Sequence, residues 1–339
     1  MVHHAAEMIR QGSLRFVCLV LVALNVFAAD RPYAAVIGKV GGAVTFISED
    51  GRILGEVKTG AYPHEAALSP DGRLLYVSVN GVLWMTEDSM GGNTIAVIDV
   101  QQMKKLHDID LGRFHRPHGI TFAGSNVLAT TERPFGLVMV DPGTRKVTRD
   151  FDVKGKSPHM VFVAPGGARA FVSNSDSNSV AAIDLRSGET TVIPTPAHPQ
   201  GGAFSPDGRH LYVTCMNANQ IAIIDANTLR VTGSIATHKG PGRIAITPDG
   251  KTLVYNIQFE QTGVGFADVA SLKEIATVPL SGRPLSLTIS ADGRRAFAGI
   301  QDQDKVVFVS VPERKVERTI ELRKGSGPDP IIPLVREKR

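Results

Sequence analysis

The chain has 339 residues, of which 42% are hydrophobic, 21% are charged and 6% are aromatic. This composition supports a large packed core and excludes a disordered chain, and its 34 glycines fall far short of a collagen-like repeat. The formal net charge of +4, from 37 basic and 33 acidic residues, is only weak support for a nucleic-acid partner.

The chain begins with a pattern typical of a secretory signal peptide. Arg10 and Arg15 supply positive charge, residues 16–27 form an apolar run, and small residues suited to cleavage follow at Ala28. The run is too short to span a membrane, and no later run is long enough to do so. We therefore expect residues 1–29 to be a signal peptide and the mature protein to be exported, either to the periplasm or as a secreted protein.

Cysteine usage limits the covalent chemistry of the mature chain. Cleavage would remove Cys18 and leave Cys215 without a partner, so we expect no internal disulfide. The sequence Cys-x-x-Cys-His does not occur, which excludes a covalently attached c-type haem.

One sequence motif recurs along the rest of the chain: a proline, about six residues of mostly alternating apolar character, and a turn such as Pro-Asp-Gly. The repeat prolines are Pro63, Pro117, Pro158, Pro199, Pro241, Pro284 and Pro328. Their spacings are 54, 41, 41, 42, 43 and 44 residues. A period in the low forties indicates a repeat architecture.

Each repeat contains short β-rich runs separated by turn residues, for example at residues 212–215 and 221–225. Four such strands describe the blade of a β-propeller, and no segment has a sustained helical period. We therefore predict an all-β fold, a seven-bladed β-propeller over residues 30–335 with four antiparallel strands per blade. Residues 331–335 would join the N-terminal strands in one shared blade that closes the ring, and 336–339 would form a charged tail. An open β-solenoid is the alternative.

The run Tyr212-Val213-Thr214-Cys215, followed by Asn219, resembles the YVTN-type β-propeller repeat family. Cys215 departs from the last letter of that motif, which is kept one blade earlier by Asn174. The resemblance covers nearly all of residues 33–335 and implies the propeller fold. It implies no single activity, because the family includes binding proteins and enzymes.

The inner strand of a propeller blade lines the central channel, so the residues one past each repeat proline are expected around one mouth. In chain order they are His64, His118, His159, Gln200, Gly242, Leu285 and Asp329. Neutral imidazole is a common metal ligand, and an amide oxygen can complete the shell. We therefore predict a divalent-metal site, for Mn, Zn, Ni or Cu without distinction, from the three histidines and Gln200. The alternative is a Pro-His pair copied by blade duplication for packing alone.

The first spacing is longer because of an insertion at residues 80–93, which contains the only tryptophan of the chain. Long loops on a rigid scaffold often bind ligands or act as lids, and a tolerated surface insertion is the alternative. Loops expected at the same mouth carry Glu132, Arg133, Asp176, Asn217, Gln258, Glu260, Gln301 and Asp302. Arg116, Arg243 and Arg283 lie beside repeat prolines, where a guanidinium could bind a carboxylate or phosphate through paired hydrogen bonds.

Two classes of function fit this pattern. The first is a binding protein that holds a metal ion or a small anionic ligand at the channel mouth without turnover. The second is a metal-dependent enzyme, because the site is similar to that of some seven-bladed lyases that hold a divalent metal by His and Gln. That resemblance implies β-elimination next to a carboxylate gripped by Arg243 or Arg283, with an unliganded histidine or Glu132 as base.

Further alternatives use the same face. Lactone hydrolysis is a variant of the enzyme hypothesis. A looser resemblance, carried by His118 and His159 at a separation of 41 residues, is to the haem d1 propellers. A scaffold for single-stranded DNA or for another protein is a minor alternative, since aromatic platforms with interleaved basic residues are not evident.

Overall fold

The computed structural model describes residues 31–334, which form seven four-stranded antiparallel sheets. The predicted signal peptide at 1–29 and the charged tail at 336–339 lie outside the described residues. Within 31–334, no helix is long and apolar enough to cross a membrane.

Every blade has the same strand order from the channel outward. The innermost strands are β4 (Pro63–Leu68), β8 (His115–Ala123), β12 (Pro158–Val163), β16 (Pro199–Phe204), β20 (Pro241–Ile246), β24 (Pro284–Ile289) and β28 (Pro328–Pro333). The second strands are β1 (Ala34–Gly38), β5 (Leu74–Val79), β9 (Asn126–Arg133), β13 (Arg169–Asn174), β17 (His210–Cys215), β21 (Thr252–Ile257) and β25 (Arg295–Ile300).

Two further strands complete each blade. The third strands are β2 (Ala43–Ile47), β6 (Thr94–Asp99), β10 (Phe135–Asp141), β14 (Ser179–Asp184), β18 (Gln220–Asp225), β22 (Gly263–Asp268) and β26 (Lys305–Ser310). The outermost strands are β3 (Ile53–Lys58), β7 (Lys104–Asp110), β11 (Lys146–Phe151), β15 (Thr190–Pro194), β19 (Arg230–Ala236), β23 (Lys273–Pro279) and β27 (Lys315–Glu321). Short 3-10 turns occupy Ser175–Ser177, Met216–Ala218 and Gln301–Gln303.

The ring closes through a blade shared by the two ends of the described chain. Strand β28 pairs antiparallel with β1, so that Ala34 lies opposite Pro333 and Val36 opposite Ile331. The innermost strands contact one another around the channel, and β28 contacts both β24 and β4. The predicted seven-bladed propeller is therefore confirmed, and the open solenoid is wrong. The closing strand spans Pro328–Pro333 and not the expected 331–335, because the repeat proline opens it, as in every other blade except that of β8, which begins at His115.

Burial follows position in the blade. All five residues of the second strand β1 are buried, because each blade is packed between two others. In the outermost strand β7, exposed residues alternate with partly or fully buried ones, as expected for a strand with one face toward solvent. Apolar side chains of adjacent blades meet between the sheets, for example Phe171 of β13 and Phe204 of β16, whose ring centroids lie 5.4 Å apart.

Several aspartates of the repeats hold turns. Asp71 accepts a hydrogen bond from the Ser69 hydroxyl at 2.5 Å in a Pro-Asp-Gly turn. Asp225, at the end of its strand, accepts from the backbone N–H of Asn227 and Thr228 at 3.0 and 2.7 Å. These carboxylates act as turn anchors, as their repetition in the sequence predicts.

Candidate functional site

Six of the seven residues one past the repeat prolines, all but Gly242, line a pocket of about 390 Å³ at one mouth of the channel. We call it the channel-mouth pocket. Its lining includes Lys39, His64, Trp84, His118, His159, Gln200, Arg243, Gln258, Arg283, Leu285 and Asp329. The structure thus brings together the three predicted histidines, Gln200 and two of the predicted arginines.

The three histidines lie side by side on one wall. The ring centroids of His64 and His118 are 4.7 Å apart, and those of His118 and His159 are 4.4 Å apart. All three residues are buried, and the Nδ1 atom of each has no hydrogen-bond partner within residues 31–334. The Nε2 atom of His64 lies 2.9 Å from the carbonyl oxygen of Val82. Because a carbonyl only accepts, Nε2 carries the proton and Nδ1 keeps its lone pair.

Burial holds these imidazoles in the neutral form. It lowers the pKa of His64, His118 and His159 well below the ordinary value, because the charged form is poorly solvated there. The positive charge of Arg243 lowers the pKa of each of the three further. Neutral imidazoles with free lone pairs can accept a hydrogen bond or bind a metal ion at neutral pH.

The predicted metal ligands are adjacent, but their side chains are not arranged as a preformed metal site. Within residues 31–334, no group of three or more His, Cys, Asp and Glu side chains is placed to hold a metal ion. Gln200 donates from Nε2 to the Ser175 hydroxyl at 3.2 Å. The unpartnered Nδ1 atoms suit a metal in their chemistry, and a common ligand geometry would require the rings to turn.

Two buried ion pairs lie beside the histidines. Arg243 donates to the carboxylate of Glu65, which belongs to a blade that does not adjoin its own, so this pair spans the channel. Lys39 lies 3.4 Å from a carboxylate oxygen of Asp329. Burial raises the pKa of Glu65, and the charge of Arg243 opposes the rise.

Sequence reasoning missed Glu65 and Lys39. A signal for Glu65 was present, because Glu65 and Arg243 both stand two residues past a repeat proline. Opposite charges at equivalent positions on inner strands indicate a pair across the channel.

The other side of the pocket is built around a guanidinium. Arg283 donates to Oε1 of Gln258 at 3.1 Å, and its guanidinium lies 4.8 Å from the centroid of the Phe259 ring. In the described part of the chain, no carboxylate forms an ion pair with Arg283. Gly242 makes room here, since a Cβ on it would lie 2.1 Å from Nε2 of Gln258. This arrangement leaves a cation able to bind an anionic group.

Glu132, predicted as a base, lies beside Arg116 and Asn80. It is buried, its Oε2 lies 3.5 Å from Nη1 of Arg116, and its Oε1 accepts from Asn80 at 3.4 Å. Burial raises the pKa of Glu132, and Arg116 opposes the rise. Neither Glu132 nor Arg116 is among the residues that line the channel-mouth pocket.

The remaining loop residues contribute little to the pocket. Asp176 lies 3.8 Å from His198 at the rim, while Arg133 lies 3.3 Å from Asp88 in an exposed pair. Cys215 is fully buried, and burial raises the pKa of its thiol to about 12. An inert thiol is therefore expected.

Comparison with known proteins shows which families the chain belongs to. Residues 142–321 match the family model described as "Lactonase, 7-bladed beta-propeller", and residues 23–196 match the "Choice-of-anchor I domain". Each match spans just over half of the chain. The chain belongs to these two families.

Two curated relatives are YncE proteins of Salmonella. That of Salmonella typhimurium is 34% identical over 141 residues, which is 40% of this chain and 39% of the relative. That of Salmonella typhi is 33% identical over the same length. This chain thus spans about two fifths of the length of the curated relatives it matches.

Among solved structures, the fold is similar to PpgL, the periplasmic gluconolactonase of Pseudomonas aeruginosa. The TM-score is 0.73 at 16% identity, over 89% of this chain and 99% of that one. The dihydro-haem d1 dehydrogenase NirN gives 0.65 at 16% identity, over 88% and 66%. Hydrazine synthase of Kuenenia stuttgartiensis gives 0.65 at 17% identity, over 76% and 86%. At these identities the likeness shows the fold alone.

Proposed function

We propose that the channel-mouth pocket binds small lactones and the carboxylates that they yield, and that the protein is a lactone hydrolase. One observation carries the proposal: neutral, buried imidazoles share a pocket of about 390 Å³ with Arg283, a cation that has no carboxylate partner among residues 31–334. The match to the lactonase family model and the fold likeness to a gluconolactonase support the same substrate class.

The residues suggest a division of labour. Nδ1 of His64 accepts a proton from water as the water oxygen attacks the lactone carbonyl, and the imidazolium then returns that proton to the leaving ring oxygen. Arg283 donates hydrogen bonds to the carbonyl oxygen as negative charge develops there. The product is a hydroxy acid whose carboxylate stays paired with Arg283 until release.

The test is hydrolysis of D-glucono-1,5-lactone, followed by proton release against a buffer blank. We expect the protein to accelerate the reaction and Arg283→Gln to lower kcat/KM by about 10-fold to 100-fold, the effect of a lost charged hydrogen bond. Arg113→Gln is the matched control, because Arg113 pairs with Asp150 in an exposed ion pair away from the pocket. Equal loss in both variants, or no acceleration with a panel of lactones, would contradict the proposal.

Divalent-metal binding is a second candidate, favoured by the unpartnered Nδ1 atoms of His64, His118 and His159. With Gln200 these imidazoles would hold the ion, which supplies Lewis acidity and lowers the pKa of bound water. The test is metal content of the purified protein by mass spectrometry after reconstitution with Mn, Zn, Ni and Cu, beside a folded triple His→Ala variant. Near-stoichiometric metal lost in the variant would support the site and justify uronate substrates for a β-elimination assay. Equal metal content in the two proteins would contradict the proposed metal site.

Export is also proposed, with residues 1–29 as the signal peptide. The charged and apolar pattern of these residues supports it, and the similar PpgL is described as periplasmic. N-terminal sequencing of the protein purified from the periplasm or medium should begin at residue 29 or 30. An intact N-terminus in the cytoplasm would overturn the proposal.

A further inference from the structure

The insertion at residues 80–93 forms one wall of the channel-mouth pocket. Its central part, residues 81–92, is called the mouth loop here, and four of its residues line the pocket, namely Leu83, Trp84, Met85 and Thr86. The ends of the loop are held together, since the N–H of Gly92 donates to the carbonyl of Asn80 at 2.7 Å. Gly81 has a φ of 82°, and a Cβ on it would lie 2.0 Å from the backbone nitrogen of Gly92. Glycine is therefore required at this closure.

A buried arginine fixes the conformation of the mouth loop. The guanidinium of Arg116 donates to the carbonyl oxygens of Met85 at 3.1 Å, Ser89 at 2.5 Å and Glu87. The backbone N–H of Arg116 donates to the carbonyl of Gly92 at 2.6 Å. Arg116 is only 2% exposed, so these bonds are shielded from water. A tolerated surface insertion needs no such anchor.

The anchored loop presents a tryptophan at the pocket. Oε1 of Glu87 accepts hydrogen bonds at 2.8 Å from the N–H groups of Leu83 and Trp84, which sets the backbone at the indole. Trp84 remains 47% exposed although it lines the pocket, and Nζ of Lys39 lies 4.9 Å from the centroid of its ring. The site therefore combines a flat apolar surface with buried polar groups.

The mouth loop also acts on the histidine wall. The carbonyl that accepts from Nε2 of His64 belongs to Val82, within the loop. The same short segment thus fixes the tautomer of His64 and the position of Trp84. The mouth loop therefore connects the indole of Trp84 to the histidine wall of the pocket.

We propose that Trp84 is the specificity-determining residue of the pocket and selects six-membered sugar-acid rings over open-chain sugar acids. A pyranose or lactone ring has a C–H face that packs on an indole and hydroxyl groups that hydrogen-bond to serine and amide side chains. Ser175, Gln200 and Gln258 supply such groups in the lining. An open-chain acid has no flat face and would gain only the polar contacts. This inference rests on the proposed binding of carboxylates and lactones.

The test compares two acids of equal charge by calorimetry: D-glucuronate, which carries a pyranose ring, and D-gluconate, which is an open chain. In the unmodified protein we expect the ring acid to bind more tightly. Trp84→Ala should weaken glucuronate binding about tenfold and gluconate binding less than about twofold, with Trp84→Phe in between. Phe135→Ala is the matched control, since Phe135 is 46% exposed and does not line the pocket.

Each outcome decides a different point. Equal loss of affinity for both acids in Trp84→Ala, or no preference for the ring acid in the unmodified protein, would overturn the role of Trp84 and leave the proposed function intact. If neither acid binds to the unmodified protein, the role of Trp84 and the proposed carboxylate binding are both overturned, and the lactone assay decides the hydrolase activity separately. Because a loop variant could misfold, circular dichroism accompanies each measurement, and Trp84→Phe keeps the loop packed.

Discussion

The two halves of the channel-mouth pocket use the same backbone position for different chemistry. In β4, β8 and β12 the residue after the repeat proline is histidine; in β20 it is Gly242, and in β24 it is Leu285. We call these the histidine half and the guanidinium half. The missing side chain at Gly242 gives its space to Gln258, which supports Arg283. A nearly symmetric scaffold therefore carries an asymmetric site.

The halves also differ in charge, and in the proposed function this difference would orient a ligand. The histidine half is uncharged at neutral pH, because burial lowers the pKa of its imidazoles. The guanidinium half contains Arg243, paired with Glu65, and Arg283, which has no ion-pair partner in residues 31–334. The carboxylate of a ligand would therefore face Arg283, and the rest of the ligand would lie toward the imidazoles.

Removing the pair that spans the two halves should have the largest effect. Arg243→Met leaves the Glu65 carboxylate buried without its partner, so the free energy of unfolding should fall by about 3–5 kcal/mol. Urea unfolding followed by circular dichroism measures it. The double variant Arg243→Met with Glu65→Gln should recover most of the loss. A loss below about 1 kcal/mol in the single variant would mean that the pair is well solvated.

The neutral histidine half should make stability depend on pH. The unfolded chain takes up protons near pH 6.5, whereas the folded imidazoles do not, so the free energy of unfolding falls as pH drops below about 6.5. Each histidine contributes a slope of up to about 1.4 kcal/mol per pH unit. His118→Gln should reduce the slope between about pH 5 and 6.5 by the contribution of one histidine.

The comparison of slopes isolates the histidine. Glu65 and Glu132 have raised pKa values and act in the opposite direction, but they are present in both proteins. Packing lost in His118→Gln lowers stability at every pH and leaves the slope unchanged. Identical slopes in the two proteins would show that His118 is protonated as readily in the folded state as in the unfolded one.

A methyl group should be enough to disturb the guanidinium half. Gly242→Ala places a Cβ 2.1 Å from Nε2 of Gln258 and 2.8 Å from Oδ1 of Asn256, so the Gln258 amide that accepts from Arg283 must shift. We expect D-gluconate to bind about tenfold more weakly by calorimetry. Gly233→Ala is the control, because its Cβ would meet only Cδ1 of Ile223 at an ordinary 3.6 Å. Unchanged affinity in Gly242→Ala would separate Gln258 from ligand binding.

The smallest effect is expected where the halves meet. Cys215 lies opposite Pro199 in the register of β17 with β16, is fully buried, and has a thiol pKa of about 12. Iodoacetamide at about pH 8 should leave it unmodified in the folded protein and label it in urea, as read by mass spectrometry. Labelling of the folded protein at the rate of a free thiol would indicate that the end of β17 becomes accessible to solvent.

The seven blades and the ring of residues past the repeat prolines could be predicted because both are periodic. A period in the low forties assigns equivalent positions without knowledge of any contact. The partners of those residues could not be predicted in the same way. Glu132 was expected to act as a base, yet it lies beside Arg116. Arg116 in turn holds the mouth loop, since its Nη1 donates to the carbonyl oxygen of Met85 at 3.1 Å.

The sequence by itself determined the blade count, the strand order and the three histidines at one channel mouth, because duplicated repeats place equal residues at equal heights. Only the tertiary structure decided which residues of different repeats contact one another. Arg243 meets Glu65 only because ring closure brings two non-adjacent inner strands across one channel. The pKa values of the imidazoles are lowered because packing between blades buries them, and each of the three histidines comes from a different blade.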